Sequence, residues 1–415
     1  MRVLLVHQNF PGQFVHLAQA LKANGAELVA MTMNKVGRDF GFPVVRAPLE
    51  HSNAATHPWA RDMESRIIRA EAALKTAIKL RDDGFDPDVI VAHPGWGDTL
   101  FLKNVWPEAR LGIYCEYYYL AEGGDTDFDP EFPNPHEPLE SRSKFQLRNL
   151  VQRMHFELAN GAIAPTRYQA NTYPARYRPR IDVIHDGVDT TILKPNADAR
   201  VRLGSGRELS RADEVITFVA RNLDPVRGYH VFMRALPEIL RQRPEAQVVI
   251  VGGDGNGYGP SPKDGRSWKE TFLAEVAERI DPERVHFTGK LAYREYVTLL
   301  QLSRLHVYLT YPFVLSWSVL EAMALGAPIL ASDTEPLREV ITDGETGRLF
   351  PFFEPAVLAA RAVELLGNEA QRERLSAAAR AHVVRNYDLR SLCLPRQLAW
   401  VDRLYRAAPV IPDWD

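Results

Sequence analysis

The chain opens the same way twice. From Arg2, "RVLLVHQNFPGQFVHLAQALKANGAELVAMTM" runs as an apolar strand, a Pro-Gly loop, an amphipathic helix stopping at Asn24-Gly25, and a second apolar strand. From Val215, "VITFVARNLDPVRGYHVFMRALPEILRQRPEAQVVIVGGDG" repeats that order. Continuous apolar strands alternating with helices belong in parallel sheets buried on both faces. "DVIVAHPG", "RLGIYCEY", "RVHFTG", "LHVYLTYP" and "APILASD" read as further short strands. The expectation is α/β: two Rossmann-like domains in tandem. Their junction should lie near "VIHDGVDTTILKPN", where a strand gives way to an Asp/Gly turn and Pro195. The expected division is 1–190, 191–385 and a C-terminal helical stretch, 386–415.

A length of 415 residues suits two cores better than one, and a net charge of −3 gives no bulk affinity for nucleic acid. Cys115 and Cys393 make no disulfide framework and fit a reducing compartment. The first apolar run is shorter than a signal-peptide core, and no stretch reaches the roughly 18–20 apolar residues that span a bilayer. The expected location is the cytoplasm, or at most a membrane surface.

In open α/β sheets, ligands bind beyond the carboxyl ends of strands, where helix N-termini and glycine turns meet. In the first half that place is "NFPGQF". Gly12 would let a ligand reach backbone N–H groups, although a tight turn explains it equally well. "HPGWGD" adds two glycines and His93, and a lone histidine is more often structural than catalytic. In the second half, Arg221 and Arg227 flank a Pro turn that ends at Gly228. Two guanidiniums there suit a diphosphate, each charge-assisted bond being worth roughly 1.5–3 kcal/mol. The plainer reading is two solvated arginines, which fits Arg221 less well because it directly follows an apolar strand.

"VGGDGNGYG" misses dinucleotide spacing, since Tyr258 stands where a third glycine belongs, and "HFTGKL" lacks P-loop spacing. Both read as turns, with Gly252 and Gly253 leaving room for a ligand. "DTD" at 125–127 has no second ligand set after it, so no metal is expected. Between His306 and Glu321 there is no charge, yet Ser316, Trp317 and Ser318 break the apolar run. Ser316 or Ser318 would cap the following helix, and Ser318 with Glu321 has capping-box spacing. Alternatively that helix N-terminus faces a phosphate and Glu321 a ribose; both readings need the same carboxylate.

Two segments have lopsided charge. Residues 116–140 hold many acids and no Lys or Arg; residues 142–180 hold eight Lys and Arg against Glu157. The first reads as an acceptor-lining loop, with Glu116 or Asp127 as polar contacts, or as a solvated loop. The second reads as a solvated helix and turn, or as a peripheral contact with an anionic membrane.

"VLEAMALGAPILASD", "EVITDGETGRLF", "HDGVDTTILKP" and "ARNLDPVRG" together resemble the retaining glycosyltransferases of family 4. The resemblance covers nearly the whole chain and implies the GT-B fold, two Rossmann-like domains facing each other across a cleft. It puts Arg221 on the donor diphosphate, with Arg227 in place of the usual lysine. Glu321 matches the second glutamate of the E-x7-E motif, which holds the ribose. Gly12 falls near the phosphates, Lys290 and Leu291 in the loop that frames the base. "SLCLPRQLAWVDRLYR" would cross back to the first domain.

The departures are specific. Phe313 stands where the first motif glutamate belongs, the Arg221–Arg227 spacing is one residue long, and Glu116 replaces a frequent histidine. The uncharged loop with Ser316, Trp317 and Ser318 then reads as the floor of a donor-sugar pocket. The resemblance implies transfer of a sugar from a nucleoside-diphosphate sugar to a hydroxyl, with retention and without a metal or other cofactor. Arg221, Arg227 and Glu116 would carry catalysis, and His93, Tyr117 and Asp127 would face a glycan, glycolipid or small-molecule acceptor. Bacterial surface polysaccharide or glycolipid synthesis is expected by association. The alternatives are a non-catalytic nucleotide-sugar binder, suggested by Phe313, and a GT-B-like epimerase or phosphorylase.

Overall fold

The structure, a computed structural model, describes residues 1–49, 56–134, 136–204, 206–255, 257–259, 261–262 and 264–413. The chain divides into two compact units, Met1–Gly187 with Arg390–Asp415, and Val188–Leu389. The sequence reading put the divisions at 190 and 385. The units part instead where Val188 N donates to Tyr387 O (2.8 Å) and Leu389 N to Val188 O (2.9 Å), so the second unit's first and last residues are tied together.

The first unit is built on a seven-stranded parallel sheet: β1 (Arg2–Val6), β2 (Glu27–Thr32), β3 (Val44–Arg46), β4 (Val89–Ala92), β5 (Arg110–Tyr114), β6 (Ala159–Ala164) and β7 (Ile181–Val183). Their order across the sheet is β3-β2-β1-β4-β5-β6-β7. Alternation along β1 feeds two cores. Val3 and Leu5 pack on the face holding Phe14 and Trp400, whereas Leu4 and Val6 pack on the face holding Ala73 and Phe156.

The last helix, Leu394–Arg406, lies on this sheet because two strand residues lack side chains. A Cβ at Gly112 would come 2.4 Å from Leu404 and 2.7 Å from Trp400, and one at Gly161 would come 2.9 Å from Leu404. Strands β3, β6 and β7 were not read from the sequence; β6 is "ANGAIA", with one β-branched residue to mark it.

The second unit holds a hairpin, β8 (Arg200–Arg202) and β9 (Glu208–Ser210), and a six-stranded parallel sheet. Its strands are β10 (Val215–Asn222), β11 (Gln247–Gly253), β12 (Val285–Gly289), β13 (Leu305–Tyr308), β14 (Ile329–Ser332) and β15 (Arg348–Phe350), in the order β12-β11-β10-β13-β14-β15. The strand order reverses between β1 and β4 in one sheet and between β10 and β13 in the other. A crevice opens at such a switch point, beyond the carboxyl ends of the two strands. No described helix is long and apolar enough to cross a membrane.

The basic stretch 142–180 does not form one surface. It runs through two helices, β6 and a third helix, and part of its charge is spent internally. Arg178 donates to Tyr173 O and Asn171 O, both at 2.7 Å, and Arg180 donates to the carbonyls of Phe156 and Ala159.

Candidate functional site

At the first switch point, His7 follows β1, His93 follows β4 and Glu116 follows β5. His7 Nε2 lies 2.7 Å from Gln13 Oε1, Gln13 Nε2 donates to Glu116 Oε1 at 3.0 Å, and His93 Nε2 is 3.2 Å from Glu116 Oε2. Both histidines are buried, their rings 5.2 Å apart. Burial, then the neighbouring His93, lowers the His7 pKa to about 4. Burial alone would raise the Glu116 carboxyl, but His93, His7 and Gln13 outweigh it and hold it below the usual range.

Gly12 has a different job from the one expected. Its φ is +47°, and a Cβ there would sit 2.3 Å from the His7 ring, so the missing side chain makes room for the imidazole. His7 and Gln13 were missed in the sequence, although each borders a motif that was read. The available signal was position: His7 is the first residue past an apolar strand.

The rest of the acidic loop is held by its own bonds. Tyr117 is buried and donates to Asp125 at 3.2 Å, while Asp127 accepts from Gly123 N at 3.1 Å, closing a turn on the surface. Among the described residues no group of three His, Cys, Asp or Glu side chains could hold a metal ion. One carboxyl in this unit is anomalous. Asp98 is fully buried, neither oxygen bonds to another residue, and burial raises its pKa to about 7.

At the second switch point the two arginines separate. Arg221 is exposed and makes no ion pair among the described residues. Arg227 is buried, and its guanidinium donates to Thr310 Oγ1 (2.7 Å), Tyr308 Oη (3.3 Å) and the Val314 carbonyl (3.1 Å). It also faces the rings of Tyr258 (5.2 Å) and Phe313 (5.9 Å). A solvated pair and a matched two-armed clamp are both wrong descriptions of this resting arrangement. Asp224 organises the turn between them, accepting from Arg227 N at 3.0 Å and Tyr258 N at 3.1 Å.

The capping box expected of Ser318 and Glu321 does not form. Ser316 caps the helix Trp317–Ala324, accepting from Ser318 N at 3.3 Å, and Ser316 N donates to Tyr308 Oη at 3.1 Å. Glu321 turns away to accept from Tyr293 Oη (2.8 Å) and Tyr296 Oη (2.7 Å). Trp317 is 41% exposed, so it is no part of a buried floor within this unit.

Lys290 is exposed and lies over the glycine turn: a Cβ at Gly253 would meet its Cε at 2.8 Å and Asn222 Oδ1 at 2.7 Å. A Cβ at Gly252 would strike Leu223 at 2.6 Å. These glycines therefore serve close packing around the turn, and Leu291 packs against the apolar cluster of Leu299 and Leu302.

Comparison with known proteins agrees with this layout. Residues 24–193 match the glycosyl transferase family 4 group, and residues 205–382 match the glycosyl transferases group 1. The chain belongs to the group 1, family 4 glycosyltransferases. It is 30% identical over 242 residues to a D-inositol 3-phosphate glycosyltransferase of Nocardia farcinica, covering 57% of this chain and 51% of that one. It is 32% identical over 182 residues to a phosphatidyl-myo-inositol mannosyltransferase of Mycobacterium leprae, covering 43% and 44%. The chain thus spans about half the length of the curated relatives it matches.

Among solved structures, sucrose-phosphate synthase from Thermosynechococcus elongatus superposes with a TM-score of 0.72 at 18% identity, over 98% of this chain and all of that one. Anabaena HepE, in complex with UDP-glucose, gives 0.66 at 16%, over 97% and 99%. The fold is GT-B.

Proposed function

We propose that the protein transfers a sugar from a nucleoside-diphosphate sugar to a hydroxyl acceptor, with retained anomeric configuration. The observation that carries this reading is Arg227, a buried guanidinium at the β10/β13 switch point whose hydrogen-bond partners are all uncharged. Its charge is placed where a diphosphate binds in open α/β sheets, and no carboxylate neutralises it directly. Arg221, exposed at the end of β10, supplies a second cation. Glu321 holds two tyrosine hydroxyls that a ribose would displace or join.

In the proposed reaction the sugar–phosphate bond breaks first, the electron pair leaving with the diphosphate. The acceptor oxygen then attacks the oxocarbenium-like sugar from the same face and loses its proton. Arg221 and Arg227 stabilise the departing charge. Removing one contact of roughly 3 kcal/mol slows transfer on the order of 10²-fold. The His7–Gln13–Glu116–His93 group is the polar site on the acceptor-side unit. The relatives named for inositol support a polyhydroxylated acceptor.

Incubation with a panel of nucleotide sugars and alcohols, with EDTA present, tests this reading. Release of nucleoside diphosphate together with a new α- or β-glycoside matching the donor's configuration supports it. An isomerised donor, or consumption of inorganic phosphate, assigns an epimerase or phosphorylase instead. Phe313 favours the binding-only alternative, which predicts saturable donor binding with no turnover.

A further inference from the structure

The first unit contains a cavity of about 330 Å³ whose lining includes Arg66, Arg69, Arg148, Trp96, Tyr119 and Glu116. Its three guanidiniums are not equivalent. Arg66 is buried and paired with Asp62 at 3.0 Å, and it donates to the Arg148 carbonyl at 2.7 Å. Arg69 gives Nε to Gln8 Oε1 (2.6 Å) and one terminal nitrogen to Ser65 O (2.7 Å), both neutral acceptors. Arg148 lies 3.5 Å over the Tyr119 ring. Neither Arg69 nor Arg148 has a carboxylate partner among the described residues. The remaining acid of the lining, Glu116, is already engaged by Gln13 and His93.

Two unpaired cations beside a third therefore converge on one cavity. Their mutual repulsion shows at Arg66, whose pKa is lowered by burial and by Arg148 and Arg69, against Asp62. Guanidiniums in this arrangement match an oxyanion, and two unpaired positive charges match a phosphate dianion better than a single carboxylate. Through His93 and Glu116 the same cavity opens on the candidate site. Resting on the transferase reading above, we infer that the acceptor carries a phosphate monoester, seated against Arg69 and Arg148.

Calorimetric titration of the full chain with inorganic phosphate, sn-glycerol 3-phosphate and glycerol tests this. Saturable binding of both phosphates and none of glycerol is expected. Arg69→Ala and Arg148→Ala should each weaken it at least about tenfold, while Arg221→Ala leaves it unchanged. Binding lost only in Arg221→Ala places the phosphate in the donor site and overturns the inference, as does wild type that binds no phosphate. Arg148 is exposed, so its variant folds; circular dichroism and melting confirm that for both.

Vesicles of phosphatidic acid in phosphatidylcholine identify the source. Sedimentation abolished by Arg148→Ala puts the phosphate on a lipid, whereas binding of the soluble ester alone puts it on a soluble acceptor. Nucleoside diphosphates are titrated into the same variants. Phosphate binding without nucleotide binding defeats the transferase reading and leaves an anion site; nucleotide binding without phosphate binding defeats only this inference.

Discussion

The guanidinium of Arg227 lies 5.9 Å from the centre of the Phe313 ring, an aromatic face standing beside a buried cation where the family resemblance leads one to expect a glutamate. The cation's bonds go to a hydroxyl from each of Tyr308 and Thr310 and to the Val314 carbonyl. One residue thus braces the loop that follows β13 and keeps its charge.

Arg227→Ala leaves those three acceptors unpaired in a buried site. At about 1 kcal/mol each, the expected loss is about 3 kcal/mol of folding free energy, read from urea unfolding. Arg227→Lys keeps the charge without the planar fork, so it should fall between the two in stability and retain more nucleotide affinity than Ala.

Glu321→Gln should leave the melting temperature near that of wild type, because an amide oxygen still accepts from one of Tyr293 and Tyr296. If Glu321 receives the ribose, the dissociation constant for the nucleoside diphosphate rises about tenfold, since a hydrogen bond to a charged group is worth roughly 1.5–3 kcal/mol. Unchanged affinity by calorimetry would make its tyrosine bonds purely structural.

Much of this was legible in the sequence, for identifiable reasons. The two sheets announce themselves because β1, β4, β10, β11 and β13 are buried on both faces and need continuous apolar runs. Short strands carrying Gly, Asn or Ala, such as β6, give no such signal. The site was legible as positions and illegible as partnerships. Glu321 bonds to tyrosines 25 and 28 residues earlier, and Arg227 to groups more than 80 residues later. Local spacing therefore assigned Glu321 to Ser318, four residues of chain favouring a cap that tertiary packing did not make. His7 went unread because a histidine after a strand acquires meaning only once β4 and β5 bring His93 and Glu116 beside it.

Gly12→Ala should be disruptive beyond a loop substitution. It puts a side chain on a residue at φ +47° and a Cβ 2.3 Å from the His7 ring. Strain of this kind costs of order 1–3 kcal/mol, and His7 must leave Gln13 to relieve it. A drop in melting temperature together with lost transfer is expected; a fully active, wild-type-stable variant would separate His7 from the site.

The pH dependence of stability has opposing parts. His7, His155, His185 and His306 are buried with folded pKa values of about 4 against 6.5 unfolded, so the unfolded chain binds protons first and stability falls as pH drops from 6.5 towards 4. Asp98 acts the other way. Its folded value of about 7 exceeds the model 3.8, so between those pH values the folded state keeps a proton that the unfolded state has lost, and stability falls as pH rises through that window. Asp98→Asn should therefore gain on wild type progressively from pH 4 to 7, as measured by unfolding at several pH values. A constant difference across that range would mean Asp98 ionises normally.

The central claim is that the second unit's switch point binds the diphosphate of a nucleotide sugar. Thermal shift with UDP, GDP, ADP and dTDP and their common sugars, without added metal, tests it most directly. A ligand at about 100 times its dissociation constant adds roughly 2.7 kcal/mol to the native state, which moves melting by several degrees. The account predicts such a shift for one nucleotide, larger with its sugar attached and diminished in Arg221→Ala. No shift with any of them, or an equal shift in Arg221→Ala, would contradict it.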